Sequence, residues 1–128
     1  MAVQSFFYVG LGGLIGALLR YSTTLAAARF SIVFPYGTLI SNLAGCFIIG
    51  AVTGIAAQSE ALSPETRLFL ATGVCGGFTT LSSFVYEMAQ LVRDEELLLA
   101  SLYFAATFAG AFLFFYLGTL LVNTLLRS

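Results

Sequence analysis

An all-α integral membrane protein with four spanning helices, the third of them broken, is the fold class this sequence predicts. Three observations carry that expectation. Of the 128 residues, 59% are hydrophobic and only 9% charged, against about 25% charged in a soluble domain, and the mean hydropathy is +0.99. The charges are also segregated, leaving long uncharged runs between Arg29 and Glu60, between Arg67 and Glu87, and between Glu96 and Arg127. Finally, the segment from Gly73 to Phe84 holds three glycines and four hydroxyl residues in twelve positions. Such a run weakens a helix, and in lipid the released backbone groups must find partners or line a polar cavity.

The spans fall at residues 4–27, 37–57, 67–92 and 97–125, within a single membrane domain covering 1–128. Each is long enough for a hydrocarbon core that needs about 20 residues. The connections are too short for a soluble domain. The first run has no basic residue before Arg20, so it reads as a span rather than a cleaved signal peptide. Its Gly12, Gly13, Gly16 and Ala17 form a small-residue face that allows close helix packing. Phe34-Pro35-Tyr36-Gly37-Thr38 closes the first connection, with Thr38 expected to cap the second span. Gly50 and Gly54 repeat the small-residue spacing there.

The third span opens with Ser63-Pro64-Glu65: a capping serine, a proline at the first helical position and an acid in the first turn. A break is expected near 76–80. Arg93-Asp94-Glu95-Glu96 forms a hairpin tip. In the fourth span Phe104, Phe108, Phe112 and Phe115 recur at helical spacing beside Ala105, Ala109 and Gly110, which suits packing or lipid contact. Cys46 and Cys75 lie at membrane depth with no metal-ligand spacing and no histidine in the chain. They read as small reduced packing residues.

Four spans put Arg67 and Arg127 on one side of the membrane, with Arg29, Arg93 and, near its span end, Arg20 on the other. Two against three, with no lysine, gives the positive-inside rule little to act on. Either a fixed orientation or insertion both ways round is compatible with that count, and the second permits an antiparallel homodimer.

Polar residues at depth carry the most information, because each needs a partner or water. Asn42 suits either an interhelical hydrogen bond or a functional role. Arg20 can snorkel to the interface or act inside. Glu87 can pair with Arg93 or with an arginine of another helix.

Taken in order, Gly12-Gly13-x-x-Gly16-Ala17-x-x-Arg20, Gly37-Thr38-Leu39-x-x-Asn42-Leu43-x-Gly45 and Gly73-x-Cys75-Gly76-Gly77-Phe78-Thr79-Thr80-Leu81-Ser82-Ser83-Phe84 resemble the small Fluc (CrcB) fluoride channels. The resemblance covers the whole chain. It implies an antiparallel, dual-topology homodimer in the bacterial inner membrane, with two fluoride pores and a central structural sodium ion, exporting fluoride passively. Fluoride, lipid and a second copy are then the partners, with no nucleic acid. By the same resemblance, Gly76 and Thr79 supply backbone carbonyls to sodium, a hard cation suited to oxygen ligands. Asn42, Ser82 and Ser83 match the fluoride path, Phe84 its ring-edge aromatic, Arg20 the vestibule arginine, and Tyr103 a fourth-span contact of the pore aromatics. Neutral donors suit a pore that must replace a hydration shell and still let the ion leave.

The chain departs from the family at Leu81, where phenylalanine is usual. Leucine keeps the bulk but offers no positive ring edge, so the hydroxyls must carry more of the coordination. Ser83 stands where threonine is common. Glu87 also has a family counterpart, and is expected either to anchor Asn42 or the hydroxyls, or to help move the ion by changing rotamer. The rival class, a small proton-coupled multidrug exporter, needs a carboxylate deep in the membrane. The first span holds no acid, so that rival fits poorly. Enzyme chemistry fits worse, for want of any nucleophile–base or metal cluster.

Overall fold

The structure, a computed structural model, describes residues 2–127. Four helical segments in it are long and apolar enough to cross a membrane. They are α1 (Ala2–Ala27), α2 (Tyr36–Gln58), a composite third span over Pro64–Arg93, and α6 (Leu97–Arg127). No strand occurs among the described residues. At the α-helical rise, the 31 residues of α6 reach about 46 Å, longer than a hydrocarbon core of about 30 Å, so this helix tilts or projects beyond it. Large apolar side chains such as Phe6, Leu14, Phe112 and Leu125 point outward, as expected where lipid is the solvent.

The connections follow turn chemistry. Ser31 Oγ accepts the amides of Val33 at 3.1 Å and Phe34 at 2.9 Å, which turns the chain toward Pro35. The expected cap of the second span is corrected here. Pro35 occupies the N-cap position without any side-chain cap, and the Thr38 hydroxyl reaches across to Glu87 instead. In that place it satisfies a half-buried carboxylate rather than a backbone amide. At the third span, Ser63 does cap, its Oγ accepting from Thr66 N at 3.1 Å. The tip before α6 turns on Glu95, whose φ of 59° is left-handed.

The third span is built from four pieces. A short helix α3 (Pro64–Arg67) runs into a π-helical stretch over Leu68–Cys75, and then into α4 (Gly76–Phe78). Thr79 and Thr80 are extended, and α5 (Leu81–Arg93) follows. The wider π turn is visible where Gly76 N donates to Ala71 O, five residues back.

Glycines decide which helices touch. A Cβ on Gly12 or Gly16 would lie on the carbonyls of Phe69 or Val74, and one on Gly77 on the carbonyl of Gly13, so α1 packs backbone to backbone against the first half of the third span. On the other side, Gly50 meets the Phe115 carbonyl and Gly118 the Phe47 carbonyl, which seals α2 against α6. Gln58 and Asn123 hydrogen-bond at the far end of that seam. A compact apolar cluster of Phe84, Leu91, Ala100 and Tyr103 joins α5 to α6, with Phe34 and Leu39 packed on it.

Candidate functional site

The candidate site grows from the point where the third span stops. The Thr79 amide still donates to Cys75 O at 2.9 Å, but beyond it the helix does not continue, because the amides of Thr80 and Ser83 are diverted to side chains. Thr80 N donates to Asn42 Oδ1 at 2.7 Å, and Asn42 Nδ2 donates to Thr80 O at 3.2 Å, so one amide side chain grips a single residue from both sides. Thr80 Oγ1 in turn accepts from Ser83 N at 3.2 Å and caps α5. A helix leaves the last carbonyls of its chain without amides to accept. Here the amides that would close onto Gly76 and Thr79, those of Thr80 and Ser83, are the two captured by side chains. The Gly77 carbonyl is served from α1, where Arg20 Nε donates to it at 3.1 Å.

The carbonyls of Gly76 and Thr79 are thereby freed from regular helix pairing. Both residues line an open cleft of about 330 Å³, along with Asn42, Thr80, Leu81 and Thr107. No charged side chain lines it. Gly45 admits the break to this position, since a Cβ there would overlap Thr79 Cγ2. The donor chemistry fits a hard cation, which takes oxygen ligands. One chain offers too few oxygens to surround such an ion.

Around the start of α5 the hydroxyls cluster. Thr80 Oγ1 lies 3.2 Å from both Ser82 Oγ and Ser83 Oγ. Leu81 and Phe84, three residues apart, face differently: Leu81 is 69% exposed on the rim of the cleft, and Phe84 is 4% exposed. Phe84 meets Tyr103 with ring centroids 5.0 Å apart and Phe108 edge-on at 5.7 Å and 83°.

Below this cluster Glu87 is half-buried and engaged on both oxygens, by Thr38 Oγ1 at 2.9 Å and by Tyr103 OH at 2.9 Å. Its hydroxyl partners thus come from α2 and α6, and neither Asn42 nor the serines of α5 reach it. Tyr103 is wholly buried and links Glu87 to the Phe84 ring. A second cavity of about 520 Å³ opens beside Glu87, between Thr24, Phe34, Thr38, Tyr86 and Asp94.

The fold therefore gathers Asn42, Gly76, Thr79, Leu81 and Phe84 on one cleft, with Ser82 and Ser83 beside it. Glu87 and Tyr103 form an adjoining pair, and Arg20 stands behind the break. Sequence reasoning missed three residues. Thr80 was read only as part of the motif, yet it is both cap and anchor. Thr38 was assigned to the wrong bond. Thr107 went unnoticed, although its buried hydroxyl, like that of Ser41, has no protein hydrogen-bond partner among the described residues. Its place one turn after Tyr103 on the same helix was the available signal.

Comparison with known proteins bears on most of the chain. The family profile described as "CrcB-like protein, Camphor Resistance (CrcB)" matches residues 7–119. A protein named fluoride-specific ion channel FluC from Chlorobium phaeobacteroides (strain BS1) is 46% identical over 110 residues, covering 86% of each chain. One of the same name from Chlorobaculum tepidum is 45% identical over 123 residues, 96% of this chain and 98% of that one. A third, from Anaeromyxobacter sp. (strain K), is 46% identical over 118 residues, 91% of this chain and 94% of that one.

Proposed function

The chain belongs to the CrcB family, and on that footing we infer that it is a fluoride-specific channel of the bacterial inner membrane. It lets fluoride leave the cytoplasm passively and so lowers its toxicity. It is a multi-pass membrane protein and a channel rather than an enzyme. The observation that carries the reading is the neutral donor set at the restart of the third span. The Thr80 hydroxyl lies 3.2 Å from those of both Ser82 and Ser83, and the cleft beside them has no charged lining.

Fluoride holds its water tightly, so a path must replace that water with donors yet not trap the ion. Rotatable hydroxyls meet both demands, since each can turn toward a passing anion and back to its protein partner. The 13-residue helix α5 adds the positive end of its dipole at the same point. Asn42 spends one N–H on Thr80 O, and its amide carries a second. Thr107, buried and without a protein partner, extends the donors onto α6. Phe84 lines the same cleft, and the positive edge of an aromatic ring favours an anion. Leu81 supplies only apolar bulk at the rim. Glu87, tied to two hydroxyls, keeps its negative charge off the donor track and holds Tyr103 against Phe84.

Completion of the site calls for a second, antiparallel copy. The carbonyls of Gly76 and Thr79 from one chain give two oxygens, and a two-fold axis in the membrane plane doubles them and closes the cleft. Such a dimer has two equivalent fluoride paths. A sodium ion held by those carbonyls supplies a fixed positive charge at the centre that favours anions nearby. Arg20 adds positive charge at the same depth.

The test is efflux from proteoliposomes loaded with fluoride or with chloride. Fluoride is expected to leave while chloride stays. Retention of both ions would overturn the channel reading.

A further inference from the structure

We propose that Arg20 and Asn42 are positioning residues, which clamp the broken third span from α1 and α2 and select which of its carbonyls stay open. This goes beyond anion attraction by Arg20 and fluoride contact by Asn42, and only its efflux arm rests on the channel reading.

The argument follows from the hydrogen-bond arrangement at the break. An uninterrupted helix would join Thr80 N to Gly76 O and Leu81 N to Gly77 O. Asn42 Oδ1 takes the first of those amides, which leaves the carbonyl of Gly76, a residue lining the cleft, without its helical partner. Arg20 Nε takes the Gly77 carbonyl, which removes the adjacent oxygen from competition and fixes its plane. The two side chains come from different helices and reach consecutive parts of the break, so the segment from Gly76 to Thr80 is held on both flanks. Close packing makes the reach possible. A Cβ on Gly77 would meet Gly13 O and, at 3.1 Å, Ala17 N, so α1 runs directly against the end of α4. A Cβ on Gly45 would displace Thr79, so α2 lies equally close. Thr80 contributes the remaining step by capping Ser83 N, which opens the Thr79 carbonyl. Within the break, named side chains thus hold the Gly77 and Thr80 carbonyls and capture the amides that would close onto Gly76 and Thr79.

Two uncharged variants of Arg20 separate positioning from charge. In Arg20→Gln the side-chain nitrogen sits as many bonds from Cα as the arginine Nε, so a donor to Gly77 O survives without the charge. Arg20→Met has similar length and no donor. Amide hydrogen exchange over residues 76–83, read by mass spectrometry on the protein in detergent, should be roughly tenfold faster in Arg20→Met, the factor for loss of one buried hydrogen bond, and close to the parent in Arg20→Gln. At saturating fluoride, efflux should fall further in Arg20→Met than in Arg20→Gln. Equal exchange and equal efflux in the two variants would reduce Arg20 to a charge and overturn the proposal for it.

For Asn42, Asn42→Asp keeps the acceptor for Thr80 N and should preserve protection of that amide, whereas Asn42→Leu should lose it. Unchanged exchange at Thr80 in Asn42→Leu overturns the clamp on that side. If Asn42→Leu fails to fold, judged by gel filtration, the Arg20 pair decides by itself. A parent protein that releases no fluoride sinks the channel reading, while the exchange comparison still reports on the clamp.

Discussion

The seam between α2 and α6 and the break in the third span both depend on glycine, yet for opposite ends. At the seam, Gly50 and Gly118 are small so that another backbone can press on them. At the break, a Cβ on Gly76 would have only Ala71 O nearby, at 3.9 Å, and what matters there is which carbonyls escape helical pairing. The seam is fixed by contact, whereas the break adds directional hydrogen bonds to the close packing at Gly77 and Gly45. The difference teaches that a small-residue pattern states neither role by itself. The neighbours do.

Substitutions can break or sharpen that contrast. The largest effect belongs to the seam. Gly50→Leu drives a side chain into the Phe115 carbonyl and should cost about 3 kcal/mol or more, the upper range for overpacking, so that the monodisperse gel-filtration peak is lost. Normal melting and elution of that variant would mean the seam is looser than its geometry.

Next comes Glu87→Gln, which replaces one of the two oxygens held by Thr38 and Tyr103 with an N–H donor. Hydrogen bonds to a charged group contribute about 1.5–3 kcal/mol, so proteoliposome efflux should slow at least about tenfold with the helices intact. Parental efflux would remove Glu87 from the path and from its support.

Thr107→Val tests whether an unpartnered hydroxyl is kept for transport. Removing a buried polar atom that has no protein partner should leave thermal stability unchanged or raised by about 1 kcal/mol, while fluoride efflux falls by roughly tenfold. A variant that loses stability and conducts normally would make the hydroxyl structural. The smallest effect is expected for Leu81→Phe. Exposed substitutions stay within about 0.5 kcal/mol, and a ring there adds a positive edge, so efflux should remain within about twofold of the parent. A dead channel would remove Leu81 from the fluoride path.

Much of the fold is legible in the sequence because lipid imposes local rules. Uncharged runs of sufficient length must be helices, and Ser63-Pro64 starts one by chemistry confined to four residues. The break was legible for the same reason, as a dense cluster of glycine and hydroxyl residues. The pairings at the site were not. Arg20 with Gly77, Asn42 with Thr80 and Thr38 with Glu87 span separations of 57, 38 and 49 residues, and each depends on which helix faces meet. Thr38 shows the failure best. Its position beside Pro35 suggests a cap, and only the arrival of α5 offers it a carboxylate instead. The π-helical stretch over Leu68–Cys75 left no mark in the sequence, since a register slip changes hydrogen-bond partners without requiring different residues.

By itself, then, the sequence determined the four spans, their order, the location of the break and the types of donor near it, because hydrophobic length and backbone propensity are properties of contiguous residues. Tertiary structure alone decided that Asn42 and Arg20 grip the break, that Glu87 is tied to two hydroxyls, and that Gly76 and Thr79 line a common cleft. Hydrogen bonds are short and directional, so their partners are chosen only after helix packing has brought distant residues within reach.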